Sequence, residues 1–173
     1  MRYNIFNLVH MPLRLALLNA SVHLQQEENL PEHVIVQKVQ EVANLLKCQL
    51  QNEEQFILPI IFEYEAGVWD MYTRQHHKAK NVIREIEALI EEFHQADRDE
   101  EQWMITSSIQ DRFHYLVLAT YHHMDDEEEV LNEILWRYHK DAFLLQLQKQ
   151  MQLLPGVVKT YERPRVVQSA FAA

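Results

Sequence analysis

Four long stretches of the chain place apolar residues at steps of three and four positions, the repeat of a helix that buries one face. They cover about residues 4–26, 32–64, 68–96 and 100–138, and a shorter stretch of the same kind covers about 141–153. Pro31 and Gly67 fall in the links between helices, and Pro59 should bend the second helix. The run Leu154-Pro155-Gly156 should end the fifth helix.

Short links between long helices favour antiparallel packing of neighbouring helices. We therefore predict an all-α fold, an up-down four-helix bundle with a short fifth C-terminal helix. Residues 1–154 should form this bundle, and residues 155–173 should form a C-terminal tail. The composition agrees with this prediction, because the chain has only two glycines and five prolines.

Polar residues interrupt each of the four apolar stripes. They are His10 in the first helix, Gln49 and Glu53 in the second, His76 and Lys80 in the third, and His123 and Glu127 in the fourth. Ala79 fits the second of these two positions in the stripe of the third helix as well as Lys80 does. Residues equally distant from a shared turn lie at the same height in antiparallel helices, and here the mismatches are about one or two helical turns. The sequence therefore predicts one polar layer across an otherwise apolar bundle.

The residue types in this layer are those of a metal site. An imidazole and a carboxylate four residues apart on a helix, as at His123 and Glu127, can share a partner. A charge in a core is costly unless it is paired or binds a metal, and inward imidazoles and carboxylates build non-haem iron sites in helical bundles. Other interpretations stay open. The acidic run 125–129 also fits a solvated or capping cluster, His10 fits a hydrogen-bonded core histidine, and Glu53 fits an ion pair.

Charge and cysteine content narrow the class of protein. The net charge is −10 at pH 7 and no basic face offsets it, which argues against nucleic acid as a partner. The single cysteine, Cys48, cannot form an internal disulfide and fits a reducing compartment. We find no secretory signal and no apolar run near the ~20 residues that span a bilayer. We therefore expect a cytoplasmic protein with no membrane contact.

A combination of short motifs is specific enough to suggest a family: RYNIFNLVH at 2–10, EEQFILP at 53–59, His76, HMDDEEEVL at 123–131 and LWRY at 135–138. Over about residues 2–145 this combination resembles the bacterial hemerythrin-like cation-binding family. The resemblance implies a four-helix bundle that holds a non-haem diiron centre. It also implies a role in oxygen binding, in redox or nitric-oxide sensing, or in iron handling.

The resemblance assigns the metal ligands position by position. His10, His76 and His123 match family histidines, and Glu53 matches a bridging carboxylate. The second bridging carboxylate falls on Glu127 or on Glu128, and the helical stripe favours Glu127.

Two positions depart from the family pattern, because Gln49 and Lys80 stand where the family has histidines. Gln offers only a neutral amide oxygen, and a protonated Lys repels a cation. Lys80 could instead lie against Glu53 and Glu127 as a positive charge that replaces an iron ion, or it could extend to the surface. His77 and His122 are poor replacements, since each lies about 100° around its helix from the matched histidine.

Three functions follow, in order of preference. The first is a binding protein that holds iron, as one ion or a weakened pair, with a small diatomic molecule or the metal ion itself as its ligand. The second is a metal-free bundle that acts as an interaction or sensor module, with Lys80 in a buried ion-pair network. An enzyme ranks last, because the sequence offers no separate acid–base pair, nucleophile or phosphate-binding loop. The sequence indicates no particular protein partner.

Overall fold

The computed structural model describes residues 2–26 and 30–152 of the chain. Its helices are α1 (Asn7–Gln26), α2 (Glu32–Phe56), α3 (Leu58–Tyr64), α4 (Ala66–Gln95), α5 (Asp99–Asp126), α6 (Asn132–Tyr138) and α7 (Asp141–Gln152), with a π-helical segment, Glu127–Leu131, between α5 and α6. No strand occurs in either range. The predicted helix end at 154–156, the tail 155–173 and part of the predicted link that contains Pro31 lie outside the described residues.

The helices form four long rods and one short rod. The first is α1, the second is α2 with α3, the third is α4, and the fourth is α5 continued through the π segment into α6. The second rod contacts the first, third and fourth, and the third packs along the fourth. Helix α7 is the short fifth rod. The predicted all-α bundle with a short fifth helix is confirmed.

The first helix begins before Pro12 and continues through it. The carbonyl of Phe6 accepts the N–H groups of Val9 at 2.9 Å and His10 at 2.8 Å, so α1 begins at Asn7 and Pro12 lies inside it. Pro12 has no backbone N–H and therefore donates no hydrogen bond within α1. Because α1 begins at Asn7, its first turn holds His10.

The second rod bends where Pro59 predicted a bend. Ile57, at φ −97° and ψ −56°, separates α2 from α3, and Pro59 is the second residue of α3. Around this bend Ile57, Leu58 and Ile61 are buried. Phe56 and Ile60 are partly buried and pack against the same apolar cluster.

Two apolar clusters lie on either side of a polar layer. The larger cluster is built by α1, α2, α4 and α5 and includes Leu17, Leu46 and Ile86. The smaller one includes Phe6 and Ile57 and is covered by α7 through Leu144, Leu147 and Met151. His10, Glu53, His76 and Glu127 are buried between the two clusters. The predicted polar layer across an apolar bundle is therefore present.

Within 2–26 and 30–152, no helix is both long enough and apolar enough to cross a membrane.

Candidate metal centre

Four residues from three rods converge in the polar layer. Glu53, His76, His123 and Glu127 each offer one nitrogen or oxygen atom, and these four atoms all lie within 4.8 Å of one another. Three of the side chains are at most 1% exposed, and that of His123 is 13% exposed. Two imidazoles and two carboxylates at this spacing form a donor set that can hold a metal ion.

The carboxylate of Glu53 is central to this group. Its Oε2 lies 3.4 Å from Nε2 of His76 and 3.7 Å from Nε2 of His123. Oε1 of Glu127 lies 3.6 Å from the same His123 nitrogen. The separations exceed direct hydrogen bonds between the ring nitrogens and the carboxylates. They leave room for a shared cation between the donors.

His10 adds a fifth donor on the opposite side of the two carboxylates. Its Nε2 lies 3.3 Å from Oε2 of Glu127 and 3.8 Å from Oε1 of Glu53. The side-chain amide of Gln49 donates to the same Oε1 of Glu53. Each carboxylate therefore turns one oxygen toward His123 and the other toward His10. The arrangement divides into a four-donor side and a weaker side with one imidazole.

All three histidines are oriented through their Nδ1 atoms. Nδ1 of His10 donates to Oε1 of Glu128 at 2.9 Å, because that oxygen is the acceptor of the pair. Nδ1 of His76 donates to Glu54 at 3.2 Å, and Nδ1 of His123 donates to Oε1 of Gln75 at 2.7 Å. In each ring Nε2 is consequently the atom that faces the layer. Metal-binding histidines are held by such a hydrogen bond on their other ring nitrogen.

The inward-facing atoms have no hydrogen-bond partners. They are Nε2 of His10, His76 and His123, Oε2 of Glu53, and both carboxylate oxygens of Glu127. Buried polar groups in folded proteins are nearly always paired, so a cluster of six unpaired atoms requires an explanation. A cation bound among them would satisfy nitrogen and oxygen donors together. The residues present therefore fit a metal ion.

The buried glutamates of the layer raise the pKa values of two of its histidines. Burial alone lowers the pKa of His10, but contacts with Glu127, Glu128 and Glu53 outweigh it and raise the pKa to about 11. Burial likewise lowers the pKa of His123, and Glu127 and Glu53 raise it to about 9. Burial is the main reason that the pKa of His76 is lowered. Without a metal, His10 and His123 hold a proton at neutral pH.

The pKa values of two acidic residues, Glu53 and Glu128, are lowered, in contrast to those of His10 and His123. Burial would raise the pKa of Glu53, yet His10 and His123 reverse that effect and hold it well below its usual range. The hydrogen bond from His10 lowers the pKa of Glu128. Glu53 is therefore an anion at any pH near neutrality. A buried carboxylate of this kind needs a proton-bearing imidazole or a metal as its counterion.

Lys80 does not enter the layer. Its ammonium group contacts Glu54 and its side chain is 32% exposed, so it lies at the edge of the bundle. The prediction that Lys80 could lie against Glu53 and Glu127 was wrong, and the alternative that it extends outward is correct. A long flexible side chain reaches solvent more cheaply than it buries a charge. Ala79, the other residue considered for this slot, packs against the core instead.

The two adjacent glutamates of the fourth rod have different positions. Glu127 is fully buried with both oxygens in the layer, whereas Glu128 is half-buried and contacts His10 from outside together with Arg14. Glu128 therefore orients a histidine rather than facing the layer. His77 and His122 are both exposed and do not reach the layer.

The sequence reasoning missed Glu54, Gln75 and Tyr72. Glu54 and Gln75 orient two of the histidines, and the buried ring of Tyr72 lies 5.7 Å from that of His123 with its hydroxyl unpaired. Burial, with Glu127 next, raises the pKa of this tyrosine. One sequence signal was available, because Glu53 and Glu127 are each followed directly by a second glutamate. No comparable signal marks Gln75 or Tyr72.

Neither protein-family models, nor curated proteins, nor solved structures give a match to this chain.

Proposed function

We propose that this chain is a hemerythrin-like non-haem metal-binding protein with a reduced iron site. The observation that carries the proposal is the common orientation of three histidines from three rods, each with Nδ1 engaged and an unpaired Nε2 in the same buried layer. Two imidazoles with a carboxylate and open positions are typical of non-haem iron(II) sites. Two buried carboxylates also balance the charge of one divalent cation.

The donor count favours one ion over two. Glu53, His76, His123 and Glu127 supply a complete four-donor group. On the other side, His10 is joined only by the second oxygens of the two carboxylates and by the amide of Gln49. A neutral amide is a weaker ligand than an imidazole for a transition metal. We therefore assign the tight site to the four-donor group and a weak or empty site to the side of His10.

Iron held by Glu53, His76, His123 and Glu127 would have open positions for reversible binding of a diatomic molecule such as oxygen or nitric oxide. The chain's own residues bury the site and fix the ligand rings. The layer lies between two apolar clusters, and Glu54, Gln75 and Glu128 hold the imidazoles in place. The proposed role is oxygen or nitric-oxide binding or sensing, or iron handling.

The test is the metal content and visible spectrum of the purified protein after anaerobic loading with ferrous iron. We expect about one tightly bound iron per chain, because only one group has four strong donors. His76→Ala should lose this iron, since it removes an imidazole from the four-donor group. His77→Ala is the matched control, because His77 is adjacent in sequence and exposed.

Two results would contradict the proposal. A protein that takes up no metal under anaerobic loading does not have the proposed function. Equal metal content in His76→Ala and His77→Ala, with both variants folded by circular dichroism, would show that the metal binds elsewhere.

One observation favours a second candidate, a metal-free bundle that serves as an interaction or sensor module. The raised pKa values of His10, about 11, and His123, about 9, supply two protonated imidazoles for the two buried carboxylates. These histidines, and not Lys80, would then form the ion-pair network. A thermal stability that is unchanged by ferrous iron and by chelator would favour this candidate over metal binding.

A further inference from the structure

Helix α1 carries a second apolar stripe that faces away from the core. The side chains of this exposed stripe are between 36% and 55% exposed, and they are Leu8, Met11, Leu15, Leu18 and Val22. At about 100° per residue, they lie on the side of α1 opposite to its buried stripe, which runs from Phe6 to Ala20. A helix that is apolar on all sides is normally buried on all sides. The exposed stripe therefore predicts a partner that covers it.

The spacing of the exposed stripe indicates the kind of surface that fits it. Its steps are three, four, three and four residues. This is the spacing of the core positions of a coiled coil, in which the partner is a second helix with the same repeat. From Leu8 to Val22 the stripe is about 21 Å long at 1.5 Å per residue. Helix α1 of another copy has the matching repeat, because its sequence is the same.

The distribution of charge favours a second copy at this stripe. Residues 1–26 contain no aspartate or glutamate, although the chain has 26 acidic residues and a net charge of −10. Like charges placed opposite each other across an interface are costly. Two copies that meet through α1 therefore avoid the repulsion between carboxylates that their acidic surfaces would otherwise produce.

A membrane surface fits the exposed stripe less well. Helices that lie on membranes carry several Lys and Arg residues on their polar face. The only Lys or Arg in α1 is Arg14, and it already pairs with Asp125 at 2.6 Å and with Glu128 at 3.2 Å. The negative net charge of the chain also opposes its approach to anionic lipids.

We propose that the exposed stripe is the contact surface between two copies of this chain, which pack α1 against α1 about a twofold axis near Leu15. The same patch then serves both copies, as a twofold interface requires. The four-donor group lies on the other three rods, so this association goes beyond the proposed function and does not depend on it. Interfaces that bury less than about 1,200 Å² in total are typical of weak, transient association. For a stripe of this length we therefore expect a dissociation constant of about 1–100 µM.

The experiment is sedimentation equilibrium of the full-length protein from about 1 to 500 µM. We expect a monomer–dimer equilibrium, and Leu18→Glu should weaken it at least about tenfold because it places a carboxylate from each copy in the interface. Leu145→Glu is the matched control, since Leu145 of α7 is 41% exposed and Leu18 is 50% exposed. Circular dichroism checks that both variants are folded. A monomer throughout this range, or equal dissociation constants for the two variants, would overturn the proposal.

Cross-linking tests the same contact with a variant that adds no charge. Leu15→Cys, made together with Cys48→Ser, should give a disulfide-linked dimer on mild oxidation, because the middle residue of the stripe lies near its counterpart. Leu145→Cys with Cys48→Ser is the control. Dimer yields that are equal in the two variants would contradict the proposal. Co-sedimentation of the unaltered chain, but not of Leu18→Glu, with vesicles of phosphatidylcholine and phosphatidylglycerol would assign the stripe to a membrane and also overturn it.

Discussion

Glu54 and Glu128 stand next to the candidate ligands Glu53 and Glu127 and have a different role. Each accepts a hydrogen bond from a histidine of another rod, Glu54 from His76 and Glu128 from His10. Consecutive residues on a helix point about 100° apart, so a paired glutamate can place one carboxylate in the layer and the next one outside it. The two glutamate pairs thus link the second rod to the third and the fourth rod to the first.

The contact between Glu54 and His76 predicts an effect on metal affinity. Glu54→Ala should lower the affinity for iron by about 10- to 100-fold, because His76 loses the partner that fixes its ring. The matched control is Glu63→Ala, an exposed glutamate of α3. Competition with a chromophoric chelator measures both affinities. Equal affinities in the two variants would show that Glu54 does not orient the ligand.

Gln49 predicts a change in metal stoichiometry. Its amide donates to Oε1 of Glu53 on the side of His10, so Gln49→His would place a second imidazole on that side. Iron content should rise from about one toward about two ions per chain, since imidazole is the stronger ligand. Gln51→His, on the exposed face of α2, is the control. Elemental analysis gives the ratio, and an unchanged ratio would argue that another feature weakens the second site.

At the scale of elements, the π segment Glu127–Leu131 positions the fourth rod at the site. It follows α5 directly and carries both Glu127 and Glu128. A π segment departs from the regular hydrogen-bond pattern of an α-helix, and such segments are frequent at functional sites. Next to it, the amide of Asn132 donates to the carbonyl of Glu128 at 2.9 Å and to Oδ1 of Asn4 at 3.0 Å. Asn132 therefore connects the π segment to the chain just before α1.

This connection predicts a loss of stability when it is removed. Asn132→Ala should destabilise the fold by about 1–3 kcal/mol, because buried polar groups lose their partners. It should also weaken iron binding, since Glu127 lies in the π segment and His10 lies in the first turn of α1. Asn81→Ala, on the exposed face of α4, is the control. Urea unfolding measures the difference, and equal midpoints would contradict the prediction.

The elements and the polar layer could be predicted from sequence because both follow from burial. A residue such as His76 in the apolar stripe of α4 must face the core when the stripe does, so its inward position needs no coordinates. The direction of Lys80 could not be predicted, since a long side chain at the edge of a stripe can point either way. The π segment and the partner of His123, Gln75, depend on side-chain geometry that spacing does not encode.

On the scale of the whole molecule, the buried layer couples folding to protons and, under the proposed function, also to metal. The metal-free fold retains protons on His10 and His123 that the unfolded chain releases above pH 6.5, because their pKa values are raised to about 11 and about 9. The retained protons stabilise the folded state. This stabilisation is complete below pH 6.5 and is lost as the pH rises through the folded-state pKa values of His123 and His10. Bound metal requires neutral imidazoles, so metal binding strengthens as the pH rises.

These opposite trends predict how chelator and pH act together. From pH 6.5 to 9 the chelator-treated protein should lose thermal stability, because His123 and then His10 approach their folded pKa values. Over the same range the stabilisation by ferrous iron should increase, since fewer protons compete for the ring nitrogens. Anaerobic thermal unfolding at each pH, with iron or with chelator, measures both curves. If the metal replaces the imidazole protons, the difference in thermal stability between the iron-loaded and the chelator-treated protein should grow as the pH rises. A constant difference would mean that iron binds outside the layer.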